Sequence, residues 1–313
     1  MTETIYTVLE KYEIRKTKQQ KSAFIDYVTA IAAKNGYTCH TERGSLGARN
    51  IVVGNPDRAQ VVYTAHYDTC AWLPVANFIT PKNMFIYLLY QLMICVLLYF
   101  LPMVITSFIL AFCIALAGLP AEWLFLVTLA EFILVFVISA LIMAGPANKH
   151  TVNDNTSGVT VLLSLMETMP AEMRKKAAFV FFDLEEIGLV GSASFAKRHK
   201  AAMKTKLLVN FDCVSDGEHM LMALTKGARK HASLLKNAFP STEAVTCEVA
   251  TRGVFYPSDQ VKFSCGVGAA AMRKSRLFGI LYLGRIHTAR DTVYREENIE
   301  FLVSGAIRLT EAI

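Results

Sequence analysis

Between residues 84 and 144 the sequence contains no lysine and no arginine, and its only carboxylates there are Glu122 and Glu131. A stretch of 61 residues so poor in charge has no face to offer to water, which excludes an ordinary soluble surface segment. Charge is scarce overall: Asp, Glu, Lys and Arg make up 19% of the 313 residues, and mean hydropathy is +0.36. The scarcity is local, because outside the apolar block the charged fraction is about 22%, ordinary for a globular protein. This composition excludes a disordered chain, a collagen, a coiled coil and a polytopic transporter.

Paired cysteine spacing is missing too. The seven cysteines, at positions 39, 70, 95, 113, 213, 247 and 265, are odd in number and never spaced Cys-x-x-Cys. Reduced thiols in a cytoplasmic setting are expected, not a disulfide framework. The net charge of +6 comes from basic residues spread along the chain, with short runs only at 15–21 and 174–176. These read as solvated surface, so no nucleic-acid partner is expected. Residues 1–20 are polar and read as lacking a secretory signal. The sequence has no internal repeat and no low-complexity linker.

What is present looks like a globular α/β domain interrupted by the apolar block. Phe24, Ile25, Val28, Ile31 and Ala32 recur at helical spacing over 22–33, and Asn35-Gly36 supplies a stop. Extended runs at 37–41, 50–53 and 61–64 follow, with a turn at Gly54-Asn-Pro-Asp57 between the last two. Beyond the block, 158–169 and 192–199 read as helices, and 177–182 and 207–211 as buried strands. Strands alternating with helices predict a sheet covered on both faces.

Ionisable residues stand where such a sheet exposes them, just past the carboxyl ends of its strands. A buried strand ends in His66-Tyr67-Asp68, and a zinc-bound imidazole commonly donates its second ring N–H to a carboxylate, as Asp68 could accept. Asp154 precedes a helix start, Glu185 and Glu186 follow an apolar strand, Asp212 follows another, and His287 stands near the end of the chain. Taken singly, each acid is most simply a helix cap or a surface charge. Together they are a nitrogen and oxygen donor set suited to zinc, manganese or cobalt. Cys70 and Cys213 read as small packing residues, and His40, His150, His199, His219 and His231 as surface histidines.

The wording and order of these segments resemble the co-catalytic zinc aminopeptidases of metallopeptidase family twenty-eight, which includes bacterial leucyl aminopeptidases and glutamate carboxypeptidases. The matching stretches are His66-Tyr-Asp68, Asp154-Asn-Thr-Ser-Gly158, Glu185-Glu-Ile-Gly-Leu-Val-Gly-Ser192, Asn210-Phe-Asp212, Ser258-Asp-Gln260 with Phe263 and Gly266, and His287-Thr288 with Asp291-Thr292. The resemblance covers nearly everything outside the apolar block. It implies a mixed, mostly parallel central sheet flanked by helices and two divalent metal ions, most readily Zn2+. It further implies His66 and Asp212 on one metal, Glu186 and His287 on the other, and Asp154 bridging both. Glu185 becomes the general base, Asp68 orients His66, and Asp291 supports the His287 side. The implied activity is an exopeptidase acting on peptide N-termini. A glutaminyl-cyclase-like acyltransferase on the same scaffold and a catalytically dead membrane scaffold are the alternatives. Gln260 departs from the family's usual His after Ser-Asp, in the substrate pocket and not among the metal ligands. Tyr256 lies near the position where some members place a phenol that stabilises an oxyanion.

The largest departure is the apolar block, which falls between His66 and Asp154. Those two residues must meet at one metal, so the chain must leave and re-enter on one side of a membrane, and the number of crossings is even. Four crossings need roughly 68 residues at about 17 each, more than are present, so two fit. One catalytic domain is therefore expected from 1–78 and 146–313, with an inserted transmembrane helical hairpin over 79–145 that contacts lipid through 84–144. The surplus after Pro102 is expected to form a kinked extension, a re-entrant turn or an interfacial helix. Lys82, Lys149 and the basic run at 174–176 flank the block while its 118–123 connection has no cation, which places the catalytic domain in the cytoplasm. Glu131 should meet a polar partner within the block, with Gln91 at similar depth.

Overall fold

A computed structural model describes residues 2–313. Nine strands form one sheet: β1 (Cys39–Arg43), β2 (Arg49–Val53), β3 (Val61–His66), β4 (Ala177–Phe182), β5 (Leu207–Phe211), β6 (His219–Leu224), β7 (Thr246–Ala250), β8 (Gly266–Lys274) and β9 (Leu281–Tyr282). The order is β1-β2-β4-β3-β5-β8-β6-β7, with β9 paired to β8. The central run β4-β3-β5-β8 is parallel, while β1, β2, β6 and β9 join it through antiparallel pairings. The expected mixed sheet is present, with its parallel part at the centre. Every residue in β3, β4 and β5 is buried, which explains why those strands read as mostly apolar runs without alternation.

The helices are α1 (Glu3–Lys11), α2 (Lys18–Lys34), α3 (Met84–Cys95), α4 (Leu101–Leu116), α5 (Phe125–Ala144), α6 (Gly158–Thr168), α7 (Val190–Arg198), α8 (Lys200–Met203), α9 (Ala232–Ala238) and α10 (Glu296–Ala312). The α2 helix starts at Thr17, whose side chain accepts from Gln20 N while the Gln20 side chain reaches back to the Thr17 backbone. Its buried residues, Phe24, Val28, Ile31 and Ala32, belong to the main core. The α6 helix is buried along 158–166 and packs on β3 and β5 beneath α10, α1 and α2. Its first residue has to be glycine: a Cβ on Gly158 would stand 2.2 Å from the Phe211 carbonyl oxygen.

Two expectations about charge are corrected. Arg15 and Lys21, read as solvated, are buried. The Arg15 guanidinium donates to the Tyr67 carbonyl and to the Thr156 hydroxyl, and the Lys21 ammonium pairs with Asp183 at 2.5 Å. His199, read as a surface residue, has a side chain only 9% exposed, between Glu42 and Asp57. In each case a partner distant in sequence makes burial tolerable.

The apolar block forms an antiparallel helical pair that stands away from the sheet. Met84–Leu116 and Glu122–Ala144, of 33 and 23 residues, are long and apolar enough to cross a membrane, and none of either apolar window is buried in the fold. After Pro102 the chain continues as helix and makes no turn before Leu116. The helix runs on from α3 to α4 through a π-helical segment at Val96–Phe100. That wider turn stands where the missing N–H and ring of Pro102 would otherwise break an α-helix. At the domain end of α3, Tyr90 packs its ring 5.1 Å from that of Phe78 and donates its hydroxyl to the Ala76 carbonyl. Glu131 pairs with the Ser107 hydroxyl of α4, not with Gln91.

Candidate metal centre

The carboxyl ends of β4, β3 and β5 lie side by side and each delivers ionisable residues to one cleft. His66 is the last residue of β3, Asp212 follows β5, and Glu185 and Glu186 follow β4 one turn later. Asp154 comes from the segment before α6, and His287 from the loop after β9. His287 and two neighbours of these residues, Leu184 and Cys213, have left-handed backbone, with φ of 64°, 57° and 57°. Such conformations are costly for non-glycine residues and gather at sites that the surrounding structure holds in place.

The polar residues of Asn153-Asp154-Asn155-Thr156-Ser157 explain why this segment is buried. Asn153 Oδ1 accepts from Ser215 N and Asp216 N, Asn155 bonds Phe211 O and Cys213 N, and Ser157 Oγ accepts from Val214 N. The segment is thereby stitched to the turn that carries Asp212. Asp291 accepts from Asn153 N at 2.8 Å and Asp154 N at 3.0 Å, so it holds the backbone of Asp154 and is not bonded to the His287 ring. Asp68 also differs from expectation. The His66 Nδ1 partner at 3.0 Å is the Asp68 carbonyl oxygen, with the nearest carboxylate oxygen at 3.7 Å. The Asp68 carboxylate instead accepts from the backbone of Glu185 and Glu186, at 3.0 and 3.3 Å.

Six side chains that the sequence singles out converge. Asp154 Oδ1 lies 3.3 Å from His66 Nε2, which is 3.5 Å from Asp212 Oδ1. Asp154 Oδ2 lies 3.2 Å from His287 Nε2, which is 3.4 Å from Glu186 Oε2. One carboxylate therefore offers one oxygen to each of two donor sets. Glu185 joins them in a cleft of about 180 Å³ that Tyr256, Asn77 and Ile79 also line. Tyr256, left without a role by the sequence, donates its hydroxyl to the Asp212 carbonyl at 3.2 Å. Cys70 also falls within ligand reach of Glu186 and His287, closer to the site than a packing residue need be.

Electrostatics test whether this set suits cations. Burial pushes Glu185 and Glu186 well above the usual carboxylate range, reinforced by each other's neighbours Glu186, Asp154 and Asp212. Burial also pushes Asp259 and Asp291 up to about 7. Glu186 Oε1 and both Asp259 oxygens are buried without a hydrogen-bond partner. Burial lowers Arg15 to about 10, and Lys16 and Lys21 also stand on the Asp68 side of the site. Seven carboxylates, from Asp68, Asp154, Glu185, Glu186, Asp212, Asp259 and Asp291, thus surround two imidazoles. Uncompensated charge at this density is prohibitive in a protein interior unless cations balance it, so the donor set fits divalent metal.

Residues 140–303 match the family model of peptidase family M28. No curated protein sequence matches the chain. Among solved structures, the Legionella pneumophila LapA aminopeptidase is similar at 12% identity and a TM-score of 0.55, over 98% of this chain and 69% of that one. The Porphyromonas gingivalis glutaminyl cyclase is similar at 15% identity and a TM-score of 0.57, over 99% and 95%. A leucine aminopeptidase precursor from Bacteroides thetaiotaomicron VPI-5482 is similar at 12% and 0.55, over 98% and 93%. At such identities these likenesses speak to the fold, which aminopeptidases and glutaminyl cyclases share. The family match is of another kind: it spans more than half of the chain and takes in Asp154, Glu185, Glu186, Asp212 and His287, and by it the chain belongs to peptidase family M28.

Proposed function

We propose that the chain is a membrane-anchored, cytoplasm-facing metalloaminopeptidase that removes residues from peptide N-termini. The observation that carries the reading is the bridging geometry of Asp154, with His66 and Asp212 on one oxygen and His287 and Glu186 on the other. These five residues would hold two divalent ions, most readily Zn2+. Bound there, such a pair polarises the scissile carbonyl and acidifies the attacking water.

The protein's own groups do the rest. Glu185 accepts the proton of the attacking water and passes it to the leaving amine. Burial, and then its neighbouring carboxylates, raise its proton affinity, which suits a group that must take a proton and then give it up. Asp68 fixes the Glu185–Glu186 backbone by accepting from both N–H groups, and its carbonyl sets the His66 tautomer by accepting from Nδ1. Asn77 and Ile79, from the segment that leads into α3, wall the cleft and limit what enters.

Residues 1–78 and 146–313 act as one catalytic unit, with 79–145 as an inserted two-span hairpin. Its two ends support this division, since Trp72 N donates to Pro146 O at 2.8 Å, Ala71 pairs with Ala147, and Leu73 N donates to His287 O at 2.8 Å. Both roots are thus tied to each other and to the His287 loop, as an even number of crossings requires. The cation-free outer turn and the flanking Lys82 and Lys149 favour a cytoplasmic catalytic unit.

Purified protein profiled on free and N-blocked aminoacyl substrates, with metal counted per chain, tests the reading. Two ions and hydrolysis of free N-termini are expected. One ion with cyclisation of N-terminal glutamine would instead establish the glutaminyl cyclase alternative, and two ions with no turnover the inactive scaffold.

A further inference from the structure

The β8–β9 hairpin has no part in the catalytic reading, yet its tip is the most water-exposed apolar feature of the globular unit. Leu277 is 88% exposed and Phe278 76%, and they lie beside exposed Lys274 and Arg276. Two large apolar side chains at a loop tip, flanked by cations, match the chemistry of a membrane interface, where apolar groups sink past headgroups and cations stay among the phosphates.

The location of the tip gives that match its meaning. Ile79 pairs antiparallel with Leu283, so the chain running back from Leu283 toward the tip follows the direction in which residues 79–83 run toward α3. Tyr282 packs its ring 5.5 Å from that of Phe78, and Phe78 packs on Tyr90, two turns into α3. Leu281 and Tyr87 pack against the same apolar cluster. The tip therefore projects beside the first turns of α3, near the level at which the helix leaves the domain and becomes exposed and apolar. Behind it, Arg273, Arg285 and Arg290 line an open recess with Tyr282. Asp216 stands 3.8 Å from Arg273 and 3.7 Å from Arg285, so one carboxylate faces a more numerous set of guanidinium groups.

We propose that the β8–β9 tip is a second membrane contact, inserting Leu277 and Phe278 into the headgroup boundary of the bilayer that α3, α4 and α5 cross, with Lys274 and Arg276 on anionic headgroups. The proposal rests on the membrane reading of the hairpin and not on the peptidase reading. The two helix roots and this tip together limit the tilt of the domain over the bilayer. The loop that carries His287 follows β9 directly, so the cleft keeps a set orientation to the membrane surface.

The test uses the full chain with Phe278→Trp in a Trp72→Phe, Trp123→Phe background, reconstituted into phosphatidylcholine–phosphatidylglycerol vesicles with brominated acyl chains. An indole at the headgroup boundary is expected to emit to the blue of its detergent-free aqueous value and to lose about half or more of its emission to the bromine, independently of the protein-to-lipid ratio. Unquenched emission from protein that floats with the vesicles would overturn the tip contact alone. Protein that fails to float would overturn the membrane reading and the tip contact with it. Shielding seen only at high protein-to-lipid ratio would assign the tip to a second copy of the chain and overturn the proposal. Leu277→Trp in the same background gives an independent readout if the Phe278 variant folds poorly.

Discussion

Replacing Glu185 with glutamine removes one charge and one proton acceptor while keeping shape and volume. The structure makes the consequences separable. Glu185 sits among Glu186, Asp259 and Asp212, and burial with these neighbours holds it well above the usual carboxylate range. An acid whose folded pKa is raised loses stability when ionised, at any pH above its ordinary range, so the amide should leave the metal-free protein as stable as the parent or more so. The backbone N–H of Glu185 still donates to Asp68, so the loop should not shift. What is lost is proton transfer, worth about 10² to 10⁴ in rate, or about 3 to 5 kcal/mol at roughly 1.4 kcal/mol per tenfold. The assay is release of a chromogenic amine from an aminoacyl anilide, with kcat and KM separated and metal counted on the same preparation. A large fall in kcat with KM and metal content unchanged is expected. A kcat within about tenfold of the parent at full metal content would refute the general-base role. Metal lost together with activity would make Glu185 a ligand, a role its closeness to His66 and Glu186 allows.

Three other outcomes follow from the geometry. Asp154→Asn should reduce bound metal from two ions per chain to fewer than one, measured by elemental analysis after gel filtration, because both donor sets share that carboxylate. The Glu42 hydrogen bond, and then that of Asp57, raise the His199 pKa, so their stabilisation is complete below the ordinary imidazole value of about 6.5 and is lost as pH rises through the raised folded value. The gap in Tm between the parent and His199→Gln should accordingly be widest near about pH 6 and narrow at alkaline pH, while the part due to ring packing on Phe195 stays constant. Gly305→Ala should cost about 1 to 3 kcal/mol in denaturant unfolding, because the added Cβ would lie 2.1 Å from the ring of Phe239, which is itself buried.

Much of the candidate site is legible because strand ends and ionisable residues coincide in the sequence. Val61–His66, Ala177–Phe182 and Leu207–Phe211 are short, mostly apolar runs that end in or are followed closely by an ionisable residue, so the buried strands and the donors appear together. The strands β6 to β9 escape the same reading. Their residues alternate less clearly, β9 is two residues long, and their partners in the sheet are distant in sequence. Lys21 and His199 mislead for a related reason: a charge looks solvated until Asp183, or Glu42 and Asp57, is brought against it.

The sequence by itself determined the donor types and their order, which are local facts, and the place of the apolar block, which stands between His66 and Asp154. Only the tertiary structure decided which oxygen of Asp154 faces which imidazole, that Asp68 and Asp291 act on backbone N–H groups, and that Tyr90 ties α3 to the domain. Those outcomes depend on distances between segments up to about 140 residues apart in the chain, and such distances are set by packing, which no local pattern of residues encodes.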